Sequence, residues 1–497
     1  MNPPHIVLIT VDHLRADFMG CAGHPVVRTP HIDFLARRGV RFTNAYSTCP
    51  VCIPARATLM TGLEGDSLGC TSYVEGFALP VQATLPRLLG QAGYQTRSVG
   101  KMHVYPERCH YGFESMLLCE EGRLLGIWEG KNRGYDDYEG WLAEQGYAGQ
   151  AFAHGLANNE YAATPWHLPR RMHPTEWIGN ETCKAIKRRD WTRPQFLWAS
   201  FTAPHPPLTP LLEDLVMYRD VEMPRPVRGD WTDRHSVYHA AALEQYRTLT
   251  DRDCELAYRA FFALITQVDR QINRIIGTLR EEGMLENTWF IFTSDHGDNM
   301  GDHGLWAKSN FLQGSCHIPL IITPPVKGDL DAHVAVGWQP GTTRSAVVGL
   351  QDILPTCVAL TGEDASAAPC DGRNLLPIVR DSAQTVREEL LGEFGLVGNR
   401  SFMLTDGEWK YLWYEADGKE LLFDIVRDPR ELHDLSPEQP DLLRGWRERL
   451  AERLGRRAAD PVVQAGRLTP AGTGAAGARA TADLARTVSD LSPRGLH

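Results

Sequence analysis

HIVLITVDH, residues 5–13, is an unbroken apolar and β-branched run followed at once by an aspartate and a histidine. A strand with one wet face alternates polar and apolar residues, whereas a continuous run of this kind suits a strand buried on both faces. QFLWASF at 195–201, WFIFTS at 289–294 and IPLIIT at 318–323 share the texture and read as further buried parallel strands. Helical patterns separate them. The clearest covers about 255–282, where Phe261, Leu264, Ile265, Val268, Ile272, Ile275, Ile276 and Leu279 recur three and four apart until Gly283. Strands alternating with helices predict an α/β domain, a mostly parallel sheet with helices on both faces.

The organisation outside this pattern is simpler. From about residue 376 the runs SFMLTDGEWKYLWYE and KELLFDI read as hairpin strands turning at Asp406-Gly407 and Asp417-Gly418, with a polar helix at about 437–455 behind them. The expected division is a catalytic α/β domain over 1–375, a small α+β subdomain over 376–455, and a structureless or partner-binding tail over 456–497, rich in Ala, Gly, Arg and Thr. The formal net charge of -11 speaks against a nucleic-acid or anionic membrane surface. No stretch has the apolar length of a membrane span, and MNPPHIVLITVD enters a strand without a basic leader; with eleven cysteines in no framework spacing, the reading is a cytoplasmic chain.

Ligands of open α/β sheets bind at the carboxyl ends of the strands. Two such ends carry acids: LITVDH delivers Asp12, and FIFTSDHGDNMGDHG delivers Asp295 and His296. Singly these are ordinary cap or turn residues; together they make a candidate divalent-metal site for calcium, magnesium or manganese. An EF-hand reading fails because Met300 stands where that loop needs glycine. In CPVCIPARATLMTG, 49–62, Pro54 suits the first turn of a helix that Gly62 ends. Cys52 then lies at the positive helix end with Arg56 one turn on. It can equally be a small buried hydrophobe, or with Cys49 a C-x-x-C pair for zinc or redox chemistry, although no second pair follows. Lys101 and His103 in GYQTRSVGKMH, His205 in SFTAPHPP and Lys308 in GLWAKSNF follow strand or glycine-rich turns, where such residues are commonly solvated or packed.

In this order, Asp12, then C-I-P-A-R at 52–56 with TLMTG, then GYQTRSVGKMH, APHPP, SDHGDNMGDHG and Lys308, the sequence resembles the sulfatase family of the alkaline phosphatase superfamily. ELLFDIVRDPRELHDLS extends the similarity, which covers most of 5–435 and implies an alkaline-phosphatase-like sheet. The resemblance implies that a formylglycine-generating maturation enzyme oxidises Cys52 to formylglycine (3-oxoalanine), whose hydrate attacks sulfur with one hydroxyl and expels sulfate with the other. It further implies Asp12, Asp295, His296 and Cys52 as ligands of one divalent metal, calcium first and magnesium or manganese as alternatives. Arg56 and Lys101 would hold the diol, His103 would take the proton that drives sulfate release, and His205 and Lys308 would bind sulfate and assist the leaving oxygen. His13 departs from the acid or amide common at that place; it is carried as a metal ligand that lacks the negative charge. Gln313 replaces an acid often found after the lysine motif. The expected substrate is a small-molecule or carbohydrate sulfate ester, with a phosphonate monoester or phosphodiester, or anion binding without catalysis, as alternatives; no nucleic acid or membrane partner is expected, and a homo-oligomer is allowed. Trp128, Trp141, Trp166, Trp177, Arg170 and Arg171 are candidates for shaping the pocket, or ordinary packing and surface residues.

Overall fold

The computed structural model describes residues 3–121, 136–325, 339–364, 369–457 and 460–472. Its centre is an eight-stranded sheet built from β1 (His5–Val11), β2 (Val40–Tyr46), β3 (Gln95–Gly100), β4 (Ser115–Leu118), β5 (Gln195–Phe201), β6 (Thr288–Thr293), β7 (Leu320–Thr323) and β8 (Thr342–Gly349). The order is β4-β3-β5-β1-β6-β7-β2-β8. β1 lies between β5 and β6 and pairs in parallel with both, so the sequence's two acid-bearing strand ends are neighbours. The apolar runs are continuous because both faces are covered. Val7, Ile9 and Val11 face a layer holding the long helix Asp251–Glu281, while Ile6 and Leu8 face a layer holding Ile53, Leu59 and Leu89.

One expectation is corrected. The run at 318–323 does not make a parallel strand: β7 pairs antiparallel with both β6 and β2. A parallel return needs a crossover of a dozen or more residues, usually helical, and the β6–β7 connection instead folds as a site loop with only a 3-10 turn at Asp302–Gly304 and the four-residue helix Gln313–Cys316.

β9 (Leu390–Phe394), β10 (Ser401–Thr405), β11 (Trp409–Tyr414) and β12 (Glu420–Asp424) form a second, antiparallel sheet. Period-two alternation divides its faces. Phe402, Leu404, Tyr411 and Trp413 pack on the helix Pro440–Gly455 through Leu443, Trp446 and Leu450. Met403, Leu412 and Tyr414 turn toward Tyr46, Trp231 and Phe311 of the large domain. Leu376, Ile378 and Val379 belong to the large domain's core, so the structural change comes after the texture change at 376. Past residue 456 the chain is not structureless throughout: residues 460–472 include the paired strands Val463–Gln464 and Arg467–Leu468, with Val462 fully buried against the helix. Residues 473–497 of the expected tail lie outside the described residues.

Candidate active site

Backbone geometry at the sheet's carboxyl edge sets the site. Gly100 ends β3 at φ 108°, and a Cβ there would fall 1.9 Å from the Ser200 carbonyl oxygen; glycine lets Lys101 N donate to that oxygen at 3.0 Å. Lys101 thereby leaves β3 beside Asp12, which leaves β1. The helix Cys52–Thr61 starts with Val51 as its N-cap and ends at Gly62 in the left-handed region, as the motif predicts. Cys52 and Arg56 are both nearly inaccessible, one turn apart.

Three imidazoles point the same nitrogen inward. His13 Nδ1 donates to Asp298 Oδ2 at 2.7 Å, His296 Nδ1 to the Gly297 carbonyl at 2.9 Å, and His205 Nδ1 to the Pro206 carbonyl. Each Nε2 is left for the centre. His13 Nε2 meets Lys308 Nζ at 2.5 Å, His205 Nε2 meets the same Nζ at 3.2 Å, and His296 Nε2 lies 3.2 Å from Cys52 Sγ. Asp12 Oδ2 accepts from Lys101 Nζ. Its other oxygen, Oδ1, is buried without a hydrogen-bond partner among the described residues and faces His296 Nε2 at 3.7 Å and His13 Nε2 at 4.0 Å. Asp12, His13, Cys52 and His296 offer ligand atoms that all lie within 4.8 Å of one another. An orphaned carboxylate oxygen among inward-facing nitrogens fits a divalent cation.

Asp295 borders this quartet and is not within it. Its Oδ2 accepts from Arg56 Nε at 2.8 Å and its Oδ1 from His296 N at 3.0 Å. Arg56 also donates through Nη1 to the Lys101 carbonyl at 2.6 Å and to Ser200 Oγ at 2.9 Å. His103, at φ 50°, is held through its backbone N–H by the Glu120 carboxylate, with its ring between Tyr73 and Tyr105. Glu121, absent from the sequence reading, places Oε2 3.3 Å from Lys101 Nζ and Oε1 4.0 Å from His205 Nδ1. Asp298, Ser200 and Tyr161, whose hydroxyl donates to Asp298, were also missed. Asp298 carried a signal, since it falls inside the SDHGD motif; Ser200 and Tyr161 carried none. Trp166 and Trp177 are buried in the core, Trp141 packs against it, and Arg170 pairs with Glu176; Arg171 is exposed, and Trp128 lies outside the described residues. Gln313 Oε1 accepts from Lys410 Nζ at 3.2 Å and so joins the two domains.

The charges are strongly coupled. Burial and Asp12 push the Cys52 thiol up, but Lys101, Lys308 and His296 outweigh them and hold it well below the usual thiol range. Burial would also raise Asp12, yet Lys101, His205, His13 and Arg56 hold it well below the usual carboxylate range. His296 loses from burial and gains more from Asp295 and Cys52, so its pKa is raised. The Cys52 and His296 shifts oppose each other in sign because each favours the charged form of the other. Asp295 is raised, by burial first and then by Asp12.

Residues 4–363 match the sulfatase family model. An arylsulfatase of Clostridium perfringens (strain 13 / Type A) is 34% identical over 441 residues, covering 87% of this chain and 90% of its own length. A choline-sulfatase of Rhizobium meliloti (strain 1021) is 30% identical, over 87% of this chain and 82% of that protein. The solved structure of a phosphonate monoester hydrolase of Agrobacterium radiobacter superposes with a TM-score of 0.73 at 23% identity, covering 91% of this chain and 96% of that one, a likeness of fold alone. A strand-end aspartate facing a cysteine at a helix start, on an alkaline-phosphatase-like sheet matched across most of its length, places the chain in the sulfatase family of hydrolases.

Proposed function

We propose that the protein hydrolyses sulfate esters to sulfate and an alcohol, with Cys52 matured to formylglycine and one divalent cation at the sheet edge. The observation that carries this reading is Cys52 at the first turn of its helix, its Sγ 3.2 Å from His296 Nε2 and its flanks occupied by Arg56 and Lys101. Hydrated formylglycine supplies two hydroxyls on one carbon, one to attack sulfur and one to expel sulfate once the alcohol has left. A bound cation supplies Lewis-acid polarisation of the sulfate oxygens.

The chain's own residues do the rest. Asp12, His13 and His296 would hold the cation together with residue 52, and Asp295, held by Arg56, would border it. Lys101, fixed between Asp12 and Glu121, and Arg56, fixed on Ser200, orient residue 52. Lys308 binds a sulfate oxygen and, with His205, neutralises charge on the departing alkoxide. His103 accepts the hydroxyl proton at sulfate release. Two imidazole nitrogens beside carboxylates suit manganese or a similar borderline ion better than calcium, which takes oxygen ligands. The sequence reading put calcium first, with magnesium or manganese as alternatives.

The test is parallel turnover of an aryl sulfate, an aryl phosphonate monoester and an aryl phosphodiester by protein whose Cys52 peptide is shown by mass spectrometry to carry the aldehyde. Sulfate is expected fastest. Faster phosphonate turnover would favour the phosphorus alternative, and no turnover of any ester by fully modified protein would refute the hydrolase reading. Metal analysis of the same sample reads the ion.

A further inference from the structure

A cavity of about 520 Å³ shares Lys308 with the centre. One wall is aromatic: the Tyr161 ring meets Trp306 at 4.6 Å and Tyr246 at 5.5 Å between centroids. The wall is tied to the chemistry, because Asp298 accepts hydrogen bonds from both the Tyr161 hydroxyl and His13 Nδ1. Asn159 and Gln245 add amide groups to the lining. Faces of this kind take flat or ring-shaped groups, and the amides bind hydroxyls or carbonyls at the rim.

The distribution of charge narrows the choice. Among the described lining residues Lys308 is the one cation, and its Nζ is turned to His13 and His205. Glu160 and Asp253 are the other charged groups, both acidic, while burial, with His235 and His303 adding to it, holds His239 well below the usual imidazole range and so neutral. Among the described lining residues a second anionic group on the ligand would therefore be desolvated beside carboxylates with no further cation to receive it.

We propose that this cavity receives the alcohol half of the ester and selects a ring-bearing alcohol with no negative charge beyond the sulfate that is removed. The proposal rests on the hydrolase reading above and deepens it by naming the substrate class.

The experiment compares 4-nitrophenyl sulfate, glucosamine 6-sulfate and glucosamine 2-N,6-O-disulfate on the mature enzyme. The kcat/KM for the monosulfated sugar is expected to exceed that for the disulfated one by at least about tenfold, as an unpaired charge requires. Gln245→Arg, which brings a cation to the wall, should narrow that gap. Tyr246→Ala should raise KM for the nitrophenyl ester about three- to tenfold, the scale of one aromatic contact. Equal or better use of the disulfate, or an unchanged KM in Tyr246→Ala, would overturn the proposal. Failure of the hydrolase reading looks different, since none of the three esters would turn over. The cavity is then decided by fluorescence: a response to glucosamine seen in the wild type and lost in Trp306→Phe supports it, and no response sinks it.

Discussion

Against burial and Asp12, Lys101, Lys308 and His296 hold the Cys52 thiol well below its usual range, and under the proposed mechanism replacing this residue separates the two roles of a formylglycine hydrate. Serine keeps one hydroxyl near His296 and can take sulfate once, but it has no second hydroxyl with which to expel it. Cys52→Ser, made in a host that leaves serine unmodified, should fold and release at most one alcohol per site, with steady turnover lower by at least on the order of 10²–10⁴. A burst assay with intact-protein mass spectrometry reads this; sustained wild-type turnover by the variant would end the formylglycine mechanism. A second residue-scale expectation concerns Asp298, which fixes the proton of His13 on Nδ1 at 2.7 Å. Asp298→Asn weakens that hold, and metal affinity should fall about 10- to 100-fold, as when other partners of ligating histidines are lost. Titration of the apo-protein with manganese measures it, and an unchanged affinity would remove His13 from the ligand set. Asp12, Cys52, Arg56, Lys101, His205, His296 and Lys308, which the structure brings to one sheet edge, were singled out from the sequence by strand ends, a helix start with the turn behind it, and a glycine-rich turn. Glu121, Ser200 and Tyr161 were not, because their roles depend on which side chain stands opposite, and that is set by the order β3-β5-β1-β6.

At the scale of elements, one helix start shows how burial becomes pH dependence. His173 caps the helix Pro174–Lys187: its Nδ1 accepts from Thr175 N at 3.1 Å and its Nε2–H donates to the Thr209 carbonyl at 3.1 Å. Both bonds together require a neutral ring. Burial lowers its pKa from 6.5 to about 3. Between those values the unfolded chain binds a proton that the folded chain refuses, so this contribution is whole above pH 6.5 and is lost as pH falls toward 3. The loss amounts to a few kcal/mol, at roughly 1.4 kcal/mol per pH unit. His173→Asn keeps a capping oxygen but does not titrate, and should flatten the stability slope between about pH 6 and 4 in urea denaturation. An unaltered slope would show that His173 is already protonated in the fold. The buried strands and the long helix were legible for a related reason, since burial on both faces and the helical period of three and four leave direct marks on residue order. The direction of β7 left none: a short apolar run reads the same in a parallel or an antiparallel place, and the return path that decides it was occupied by site residues.

For the whole molecule, the C-terminal segment decides how the small domain is closed. Arg400, 4% exposed, bonds Glu415 at 2.8 and 3.0 Å, Asp460 at 2.8 and 3.1 Å, and Glu393 at 3.2 Å. Arg457 reaches Glu393 as well and Asp66 of the large domain at 3.1 Å. Val462 fills the end of the apolar layer under the helix Pro440–Gly455. None of this shows in the sequence, where an Ala, Gly and Arg-rich composition conceals a single buried valine and one aspartate with a specific partner. Cutting after Arg456 removes the burial of Val462, worth about 1.5–3 kcal/mol, and takes Asp460 from Arg400, so a loss of about 2–4 kcal/mol is expected by urea unfolding. Cutting after Gly472 retains every one of these contacts and should leave the midpoint within about 0.5 kcal/mol of the full chain. The two truncations share the loss of 473–497, so their difference isolates 457–472. Equal midpoints would mean that the hairpin contributes nothing to the fold. An Asp460→Asn change in the full chain then divides the effect, because it keeps Val462 buried and removes only the charge facing Arg400 and Arg457, and it should retain the larger part of the stability that cutting after Arg456 loses.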